Sequence, residues 1–283
     1  IQGDQIQIKF NIFESEKILV ERVNITGNSI TNEDVIRAEL LLDEGDPFTL
    51  LNLKKSISKL KARNIFREVK YTVSEGSQNN LKTINVDVEE KPTGEISAGA
   101  GVGTNGGSFA FSISENNWLG EGKKLNFSMD IDAESLSGVL NFTDPNYNFL
   151  GNSINYYVSS ESSDRATQGY ENSILSTGIN TSFEQYKDLF AIVGISASYD
   201  DLRTNSSATA SLKKQDGNFS EIAGNYGFKY DKRNQAFMPT SGSVISFNQK
   251  LPFYADKQSI SNTITSSSYK TITENVIGAG KFY

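Results

Sequence analysis

The residues of this 283-residue chain that could do chemistry are its carboxylates and one glycine-rich segment, because the chain contains no cysteine and no histidine. The lack of these two residue types excludes thiol nucleophiles, disulfides and catalysis by a histidine base, and it removes the commonest metal ligand. The closely spaced acids Asp130 and Asp132 could act as an acid–base pair or bind a cation. Asp200, Asp201 and Asp231 could supply oxygen ligands to calcium, but their spacing does not match a calcium-binding loop. We therefore expect solvated acids, with no enzyme activity, metal or cofactor.

The glycine-rich segment runs from Gly99 to Gly103 and has the sequence GAGVG. A phosphate-binding loop would open a helix and carry a following Lys and Ser or Thr, whereas another strand-like segment follows here. The formal net charge is −7, with Lys and Arg scattered along the chain, so a nucleic-acid partner is not expected either. We predict that this segment is a β-strand weakened by its glycines.

The elements that must position these residues change in character near Pro92. Up to this proline the hydrophobic pattern predicts a strand, two helices and two further strands, over 18–26, 31–40, 51–62, 67–74 and 84–88. Thr31, followed by acidic residues, is the predicted N-cap of the first helix. Residues 17–92 are therefore predicted to form an α+β domain with the order β-α-α-β-β.

Residues 8–17 and 84–91 are similar, since both alternate as a strand and end in acidic residues and Lys. One explanation is a tandem repeat of domains, in which residues 1–16 are the last strand of a preceding domain. The other explanation is two unrelated edge strands, because alternation with acidic ends is common.

From residue 93 to residue 283 we find no helical period and predict an antiparallel meander of about eleven strands. Each strand has one apolar side, as in Leu125, Phe127 and Met129, which alternate with polar residues. Such strands fit either a soluble β-sandwich or a transmembrane β-barrel whose apolar side faces lipid. Aromatic residues near strand ends, charged residues in the polar phase and the lack of a second buried partner segment favour the barrel.

Particular turns carry a resemblance to a known family. Residues 116–122 (NNWLGEG) and 142–147 (FTDPNY) resemble the first two periplasmic turns of the BamA-type outer-membrane assembly family, and residues 231–242 resemble its D-x-R…P-T-x-G turn. The residues that carry these motifs are Trp118, Gly120, Gly122, Pro145, Asp231, Arg233, Pro239 and Gly242. Residues 18–91 are similar to a POTRA domain, although Arg63-Asn64 stands where glycine is common in that family.

The resemblance implies an α+β POTRA domain followed by an antiparallel transmembrane β-barrel of sixteen strands, of which this chain would contain about eleven. The V-R-G-F motif of a late loop in that family does not occur in the sequence. An open sheet would leave edge backbone groups unpaired in lipid, so we expect the chain to be truncated at its end. The lone predicted strand at Ile6–Phe13 leads us to expect truncation at its start as well.

The resemblance also implies a function: assembly and insertion of β-barrel proteins into the bacterial outer membrane, without ATP and without enzyme catalysis. The implied mechanism is templating of client strands at a lateral gate, formed here by the first barrel strand with Gly94, Ser97, Gly99, Gly101 and Gly103. The implied partners are the outer-membrane lipid bilayer, accessory assembly lipoproteins and unfolded β-barrel clients, with the POTRA domain in the periplasm.

Two further sites are expected in the POTRA domain. Val69, Tyr71 and Val73 mark a strand that could pair with clients as a second edge. Arg37 and Glu44 are candidates for docking an accessory lipoprotein, although a solvated charged surface also explains them. Two other functions stay open: a POTRA-barrel polypeptide exporter of the two-partner-secretion or a related type, and a soluble β-sandwich adhesin joined to an α/β module.

Overall fold

The structure is a computed structural model that describes residues 17–103, 106–148, 150–234, 239–273 and 276–283. The predicted strand within residues 1–16 lies outside the described residues. The density of internal contacts divides the chain into a first unit, Ile1–Ser29 with Glu39–Glu90, and a second unit, Ile30–Ala38 with Lys91–Tyr283. Among the helices in the described ranges, none is long and apolar enough to cross a membrane.

The first unit is built on a three-stranded sheet with the strand order β1-β3-β2. β1 (Leu19–Thr26) runs parallel to β3 (Leu81–Glu90), and β2 (Phe66–Glu75) pairs with β3 in the antiparallel sense. Apolar residues at strand spacing lie on one face of the sheet, and the apolar residues of α2 (Leu50–Ala62) at helical spacing lie on one side of the helix. Both groups are buried. The buried residues include Val20, Val23, Leu53, Ile57, Leu60, Phe66, Val69, Ile84, Val86 and Val88.

Helix α2 has well-formed ends. It begins after Thr49, whose hydroxyl accepts a hydrogen bond from the amide of Asn52 at 3.3 Å. Its C-cap is Arg63, and Asn64 then adopts the left-handed conformation with φ 58°. Glycine is preferred at this position and asparagine is the common substitute, so the departure from the family's glycine keeps the helix stop intact.

Helix α1 is Glu33–Arg37, so the prediction of a helix that continues to Leu40 is wrong. The predicted N-cap is also wrong, because Asn32 takes that position and its side chain makes no capping hydrogen bond. The hydroxyl of Thr31 instead accepts a hydrogen bond from Asn117, which is 86 residues away in the chain. Local helix propensity carries no information about this tertiary bond.

The second unit contains an eleven-stranded antiparallel sheet in which each strand pairs with its neighbours in the chain, in the order β4 to β14. A short helix, α3 (Ala210–Lys213), lies between β10 and β11. The predicted β-α-α-β-β order followed by an antiparallel meander is confirmed. The strands are β4 (Gly94–Gly103), β5 (Gly106–Trp118), β6 (Lys123–Asp132), β7 (Ser135–Asp144), β8 (Ser153–Arg165), β9 (Tyr170–Tyr186), β10 (Leu189–Thr204), β11 (Gly217–Asp231), β12 (Gly242–Ala255), β13 (Ser261–Thr273) and β14 (Val276–Phe282).

The two faces of this sheet differ in chemistry. The apolar face carries Phe127 of β6 and the residues in register with it, such as Ile113 and Leu140. The polar face carries the alternate residues, including the acids Asp130 and Asp132. The carboxylate of Asp132 accepts hydrogen bonds from the amide of Glu134 and the hydroxyl of Ser135, so it organises the adjoining hairpin.

Tyr157 is the aromatic residue that interrupts the polar phase of β8. It pairs with Gly178 of β9, where an added Cβ would lie 2.6 Å from the tyrosine ring. The glycine therefore leaves space for the ring to lie against the backbone of β9, and the ring covers the backbone of the glycine.

We expect Tyr157→Ala to lower the free energy of unfolding by about 1 kcal/mol, because the contact between ring and backbone is lost. The measurement is the urea midpoint at which the strand signal in circular dichroism is lost. Tyr157→Phe keeps the ring and is the matched control, with an expected midpoint close to that of the unaltered protein. Equal losses in the two variants would assign the effect to the hydroxyl and contradict this explanation.

Candidate functional site

β4 is an open edge in the described part of the sheet, since it pairs with β5 alone and all its residues are exposed. Gly103 pairs with Gly106, and the amide of Asn116 donates a hydrogen bond to the carbonyl of Thr93 at 3.2 Å, which continues the same register. In an antiparallel pair, alternate residues bond to the partner strand. The odd-numbered residues from Thr93 onward therefore bond to β5, and the even-numbered residues direct their N–H and C=O groups to the open edge.

Four of the five predicted gate residues, Ser97, Gly99, Gly101 and Gly103, lie on the polar face of β4, and Gly94 lies on the other face. An added Cβ at Gly99 or Gly103 would meet nothing within 4 Å. Close packing therefore does not require glycine at these two positions. Glycine there removes side-chain packing and lowers the propensity of β4 for a regular strand.

A second open edge lies in the first unit, where β2 pairs with β3 alone among the described residues. The three predicted pairing residues of β2 share one face, along which burial decreases. Val69 is buried, Tyr71 is half-buried and Val73 is exposed.

The opposite edge of this sheet, β1, is covered. The amide of Val20 donates to the carbonyl of Asp46 at 2.9 Å, and the amide of Gly45 donates to the carbonyl of Val20 at 2.7 Å. Glu44 extends the cover, because its Oε1 accepts a hydrogen bond from the amide of Val23 at 3.1 Å. Sequence reasoning placed Glu44 on a docking surface and missed this contact, which joins residues 21 positions apart and has no local signal.

Arg37, the other predicted docking residue, lies in α1 of the second unit. Its Nε donates a hydrogen bond to Oε1 of Glu33 at 2.7 Å, one helical turn earlier. Exposed pairs of this kind add little to stability, so α1 carries this ion pair as a surface feature.

The turn between β5 and β6 contains Gly120 (φ 75°) and Gly122 (φ 64°), in a conformation that favours glycine, directly after the half-exposed Trp118. An added Cβ at Gly120 would lie 2.2 Å from the carbonyl oxygen of Ile30. The carbonyl of Gly120 accepts a hydrogen bond from the amide of Asn32 at 2.9 Å. The three predicted motif residues thus form one turn that packs directly against residues 30–32.

The turn after β7 is centred on Pro145. The carboxylate of Asp144 accepts a hydrogen bond from the amide of Asn146 at 3.1 Å, and Oδ1 of Asn146 accepts one from the amide of Gly151 at 2.7 Å. Proline suits the turn because its φ is fixed and it has no N–H to satisfy. The Asn-to-Gly spacing of this turn recurs in the β5–β6 turn, where Asn117 precedes Gly122 by the same interval. That recurrence is the signal by which the sequence could have identified both asparagines.

The third motif turn follows β11. Nε and Nη2 of Arg233 donate hydrogen bonds to the two carboxylate oxygens of Asp231 at 2.8 and 2.6 Å, and only 16% and 18% of these side chains are exposed. The hydrogen bonds to Asp231 raise the pKa of Arg233, so the guanidinium stays charged. Gly242 (φ 94°) closes the turn, where an added Cβ would lie 2.1 Å from the carbonyl oxygen of Lys232. The half-buried Pro239 completes the predicted set.

Lys232 joins this turn to the β9–β10 turn. Its Nζ lies 2.9 Å from Oδ2 of Asp188, and the hydrogen bond to that carboxylate raises the pKa of Lys232. The amide of Asp231 also donates to the carbonyl of Asp188 at 2.9 Å. The turns after β9 and β11 are therefore fastened to each other by one ion pair and one backbone bond.

The chemistry of these sites is backbone hydrogen bonding. Within the described ranges, no group of three or more His, Cys, Asp or Glu residues is placed to hold a metal ion. The backbone N–H and C=O groups along the open edge of β4 can form hydrogen bonds with a further strand, which would extend the sheet.

Comparisons with known proteins agree with this architecture. A profile described as the Omp85 superfamily domain matches residues 117–282, and a POTRA profile described as a surface antigen variable number repeat matches residues 18–91. The outer membrane protein assembly factor BamA of Neorickettsia risticii is 26% identical over 259 residues, which cover 87% of this chain and 34% of that protein.

Solved structures show the same fold. BamA from Haemophilus ducreyi lacking POTRA domains 1–3 matches with a TM-score of 0.72 at 20% identity, and the match covers 92% of this chain and 53% of that chain. CdiB from Acinetobacter baumannii matches with a TM-score of 0.60 at 11% identity, over 94% of this chain and 53% of that one. The chain thus spans 34% of the length of the Neorickettsia protein and 53% of each solved chain.

Proposed function

The chain belongs to the Omp85 superfamily, and from this premise we propose that it assembles β-barrel proteins and inserts them into the bacterial outer membrane by templating client strands on β4. In this proposal residues 17–92 form a periplasmic POTRA domain, and residues 93–283 contribute strands to a barrel in the lipid bilayer. The BamA of Neorickettsia risticii, at 26% identity over 87% of the chain, supports this assignment.

The observation that carries the proposal is the glycine-weakened strand β4, in which Gly99 and Gly103 have open space where a side chain would pack. An unpaired N–H or C=O group costs several kcal/mol in hydrocarbon, so a client strand and β4 both gain when they pair within the membrane. Strand addition of this type needs neither a covalent intermediate nor ATP, because the free energy comes from backbone pairing and from burial of the apolar side of the client in lipid.

The glycines of β4 make the edge exchangeable. Gly99 and Gly103 have open space beside them, so they contribute no side-chain contacts that would hold another strand in place. A strand that closes the barrel against β4 is then retained mainly by backbone bonds, and a client strand that offers the same bonds can replace it.

The POTRA domain would supply earlier and weaker contacts with clients. β2, with Val69, Tyr71 and Val73, offers an edge to an extended client segment, whereas the cover on β1 confines pairing to β2. We retain Arg37 and Glu44 as the proposed docking residues for an accessory lipoprotein. Of these two, Arg37 is the better candidate because the carboxylate of Glu44 is already bonded to the backbone of β1.

The test uses single cysteines, because these 283 residues contain none that would compete. Ile96→Cys, Ala98→Cys or Val102→Cys is introduced into the complete protein and combined with a client that carries one cysteine in its C-terminal strand. We expect disulfide-linked products at β4. Ser176→Cys in β9, a strand paired on both sides, is the control and should give none. No product at any β4 position would contradict templating.

A second function, export of one polypeptide through the barrel, fits the same architecture, and the fold is shared with CdiB. Client range separates the two functions. Depletion of an assembly factor lowers the amounts of many outer-membrane β-barrel proteins, whereas depletion of an exporter lowers a single secreted polypeptide. The sequence similarity to BamA favours the first result.

A further inference from the structure

Asn117, at the end of β5, and Asn146, after β7, use their side chains in the same way. Oδ1 of Asn117 accepts a hydrogen bond from the amide of Gly122 at 2.8 Å, and Oδ1 of Asn146 accepts one from the amide of Gly151 at 2.7 Å. In both turns the donor lies five residues after the asparagine. Each carboxamide therefore organises its own turn with its oxygen and keeps its NH2 group for another partner.

The two NH2 groups reach opposite ends of α1. Nδ2 of Asn117 donates to Oγ1 of Thr31 at 2.9 Å, just before the helix, and Nδ2 of Asn146 donates to the carbonyl of Ala38 at 3.2 Å, just after it. Only 2% of Thr31 and 8% of Asn117 are exposed. Because water cannot replace a buried partner, the bond between Thr31 and Asn117 is expensive to break.

A bulge in β5 puts Asn117 in this position. The register of β5 with β6 shifts between Glu115 and Trp118, so that Asn116 and Asn117 leave the regular ladder. The two neighbouring asparagines then have different partners: the amide of Asn116 bonds to Thr93, directly before β4, and the side chain of Asn117 bonds to Thr31. The bulge therefore joins the base of β4 to the residues that precede α1.

We propose that Asn117 and Asn146 are positioning residues. Their side-chain hydrogen bonds to the residues flanking α1, here called pins, hold α1 against the β5–β6 and β7–β8 turns and fix the first residues of β4 for client pairing. The proposal rests on the function proposed for β4. A displacement of α1 would move the bulge through Asn117, and the bulge would move Thr93 and the first pairs of β4. A partner bound to Arg37 on α1 would act on the open edge through these pins.

The test removes one pin without altering its turn. Thr31→Val in the complete protein keeps the shape of the side chain and removes the hydroxyl, while the bond from Gly122 to Asn117 stays in place. Pulsed electron paramagnetic resonance between spin labels on Asp34→Cys and Leu150→Cys reports the position of α1, and disulfide capture at Ala98→Cys reports client pairing. We expect a broader distance distribution and a client yield about fivefold lower, the effect of one lost buried hydrogen bond.

Two further variants keep the result specific. Thr31→Ser restores the hydroxyl and should restore both readouts. Thr26→Val removes an exposed hydroxyl that donates to Asp87 at 2.8 Å in the first unit, and it should change neither.

An unchanged distance distribution in Thr31→Val would overturn the pin, and a broadened distribution with unchanged client capture would overturn the positioning role. Absence of client capture in the unaltered protein would contradict the proposed function and the positioning role, whereas the distance distribution still tests the pin by itself. A broadened distribution in that case would show that strand templating, not the pin, is the part that failed.

Discussion

Ala100→Pro is expected to reduce client capture and client insertion by more than about tenfold while the protein itself still folds. Ala100 is even-numbered in β4, so its amide points to the open edge and takes no part in the ladder with β5. Proline removes this donor and its ring obstructs an approaching strand, yet an edge strand tolerates proline where the N–H faces outward. The measurements are disulfide capture at Ala98→Cys and the rate at which a client folds into liposomes that contain the protein.

Two substitutions test whether the direction of the amide is the cause. Ala100→Val keeps the N–H and adds apolar bulk on the same face, so it should retain most of the client capture. Gly99→Pro removes an amide that bonds to β5, so it should weaken the protein's own fold and lower its heat-modifiable mobility shift. Equal capture by Ala100→Pro and Ala100→Val would show that backbone pairing at this edge is not the mechanism.

The strands were predictable from the sequence because each is specified by a local pattern, the alternation of apolar and polar residues. In β6, Leu125, Phe127 and Met129 alternate with polar residues, and a period of two residues places them on one face whatever the partner strand is. The same reasoning gave β2 from Val69, Tyr71 and Val73. The period does not determine strand order, so the expectation that β2 is an edge came from the resemblance to the family, and the cover over β1 was not foreseen.

The turn end could be predicted only in part. Resemblance to a family identified Gly120 as a motif residue, but the physical reason is the carbonyl of Ile30, which leaves no space for a Cβ. Thr31 has the sequence context of an N-cap, yet its hydroxyl accepts a hydrogen bond from Asn117, 86 residues later. Contacts between residues so far apart in the chain do not affect local helix propensity. The helix prediction is therefore wrong at the positions that form tertiary hydrogen bonds.

Arg233→Ala is expected to lower the free energy of unfolding by about 2–3 kcal/mol, because it leaves the half-buried carboxylate of Asp231 without its two-pronged partner. The loss should be smaller than for a fully buried pair, since Nζ of Lys229 lies 3.3 Å from the same carboxylate and still offsets part of its charge. The measurement is the urea midpoint of the heat-modifiable mobility shift of the complete protein.

The neighbouring residue supplies a matched comparison for this prediction. Lys232 also forms an ion pair, with Asp188 at 2.9 Å, but 49% and 30% of those side chains are exposed. Lys232→Ala should therefore lower the free energy of unfolding by less than about 1 kcal/mol. Arg233→Lys keeps the charge and loses the fork, so its loss should lie between these two values. If Lys232→Ala is as destabilising as Arg233→Ala, general charge balance at this end of the sheet stabilises the turn, and the paired geometry of Asp231 and Arg233 does not.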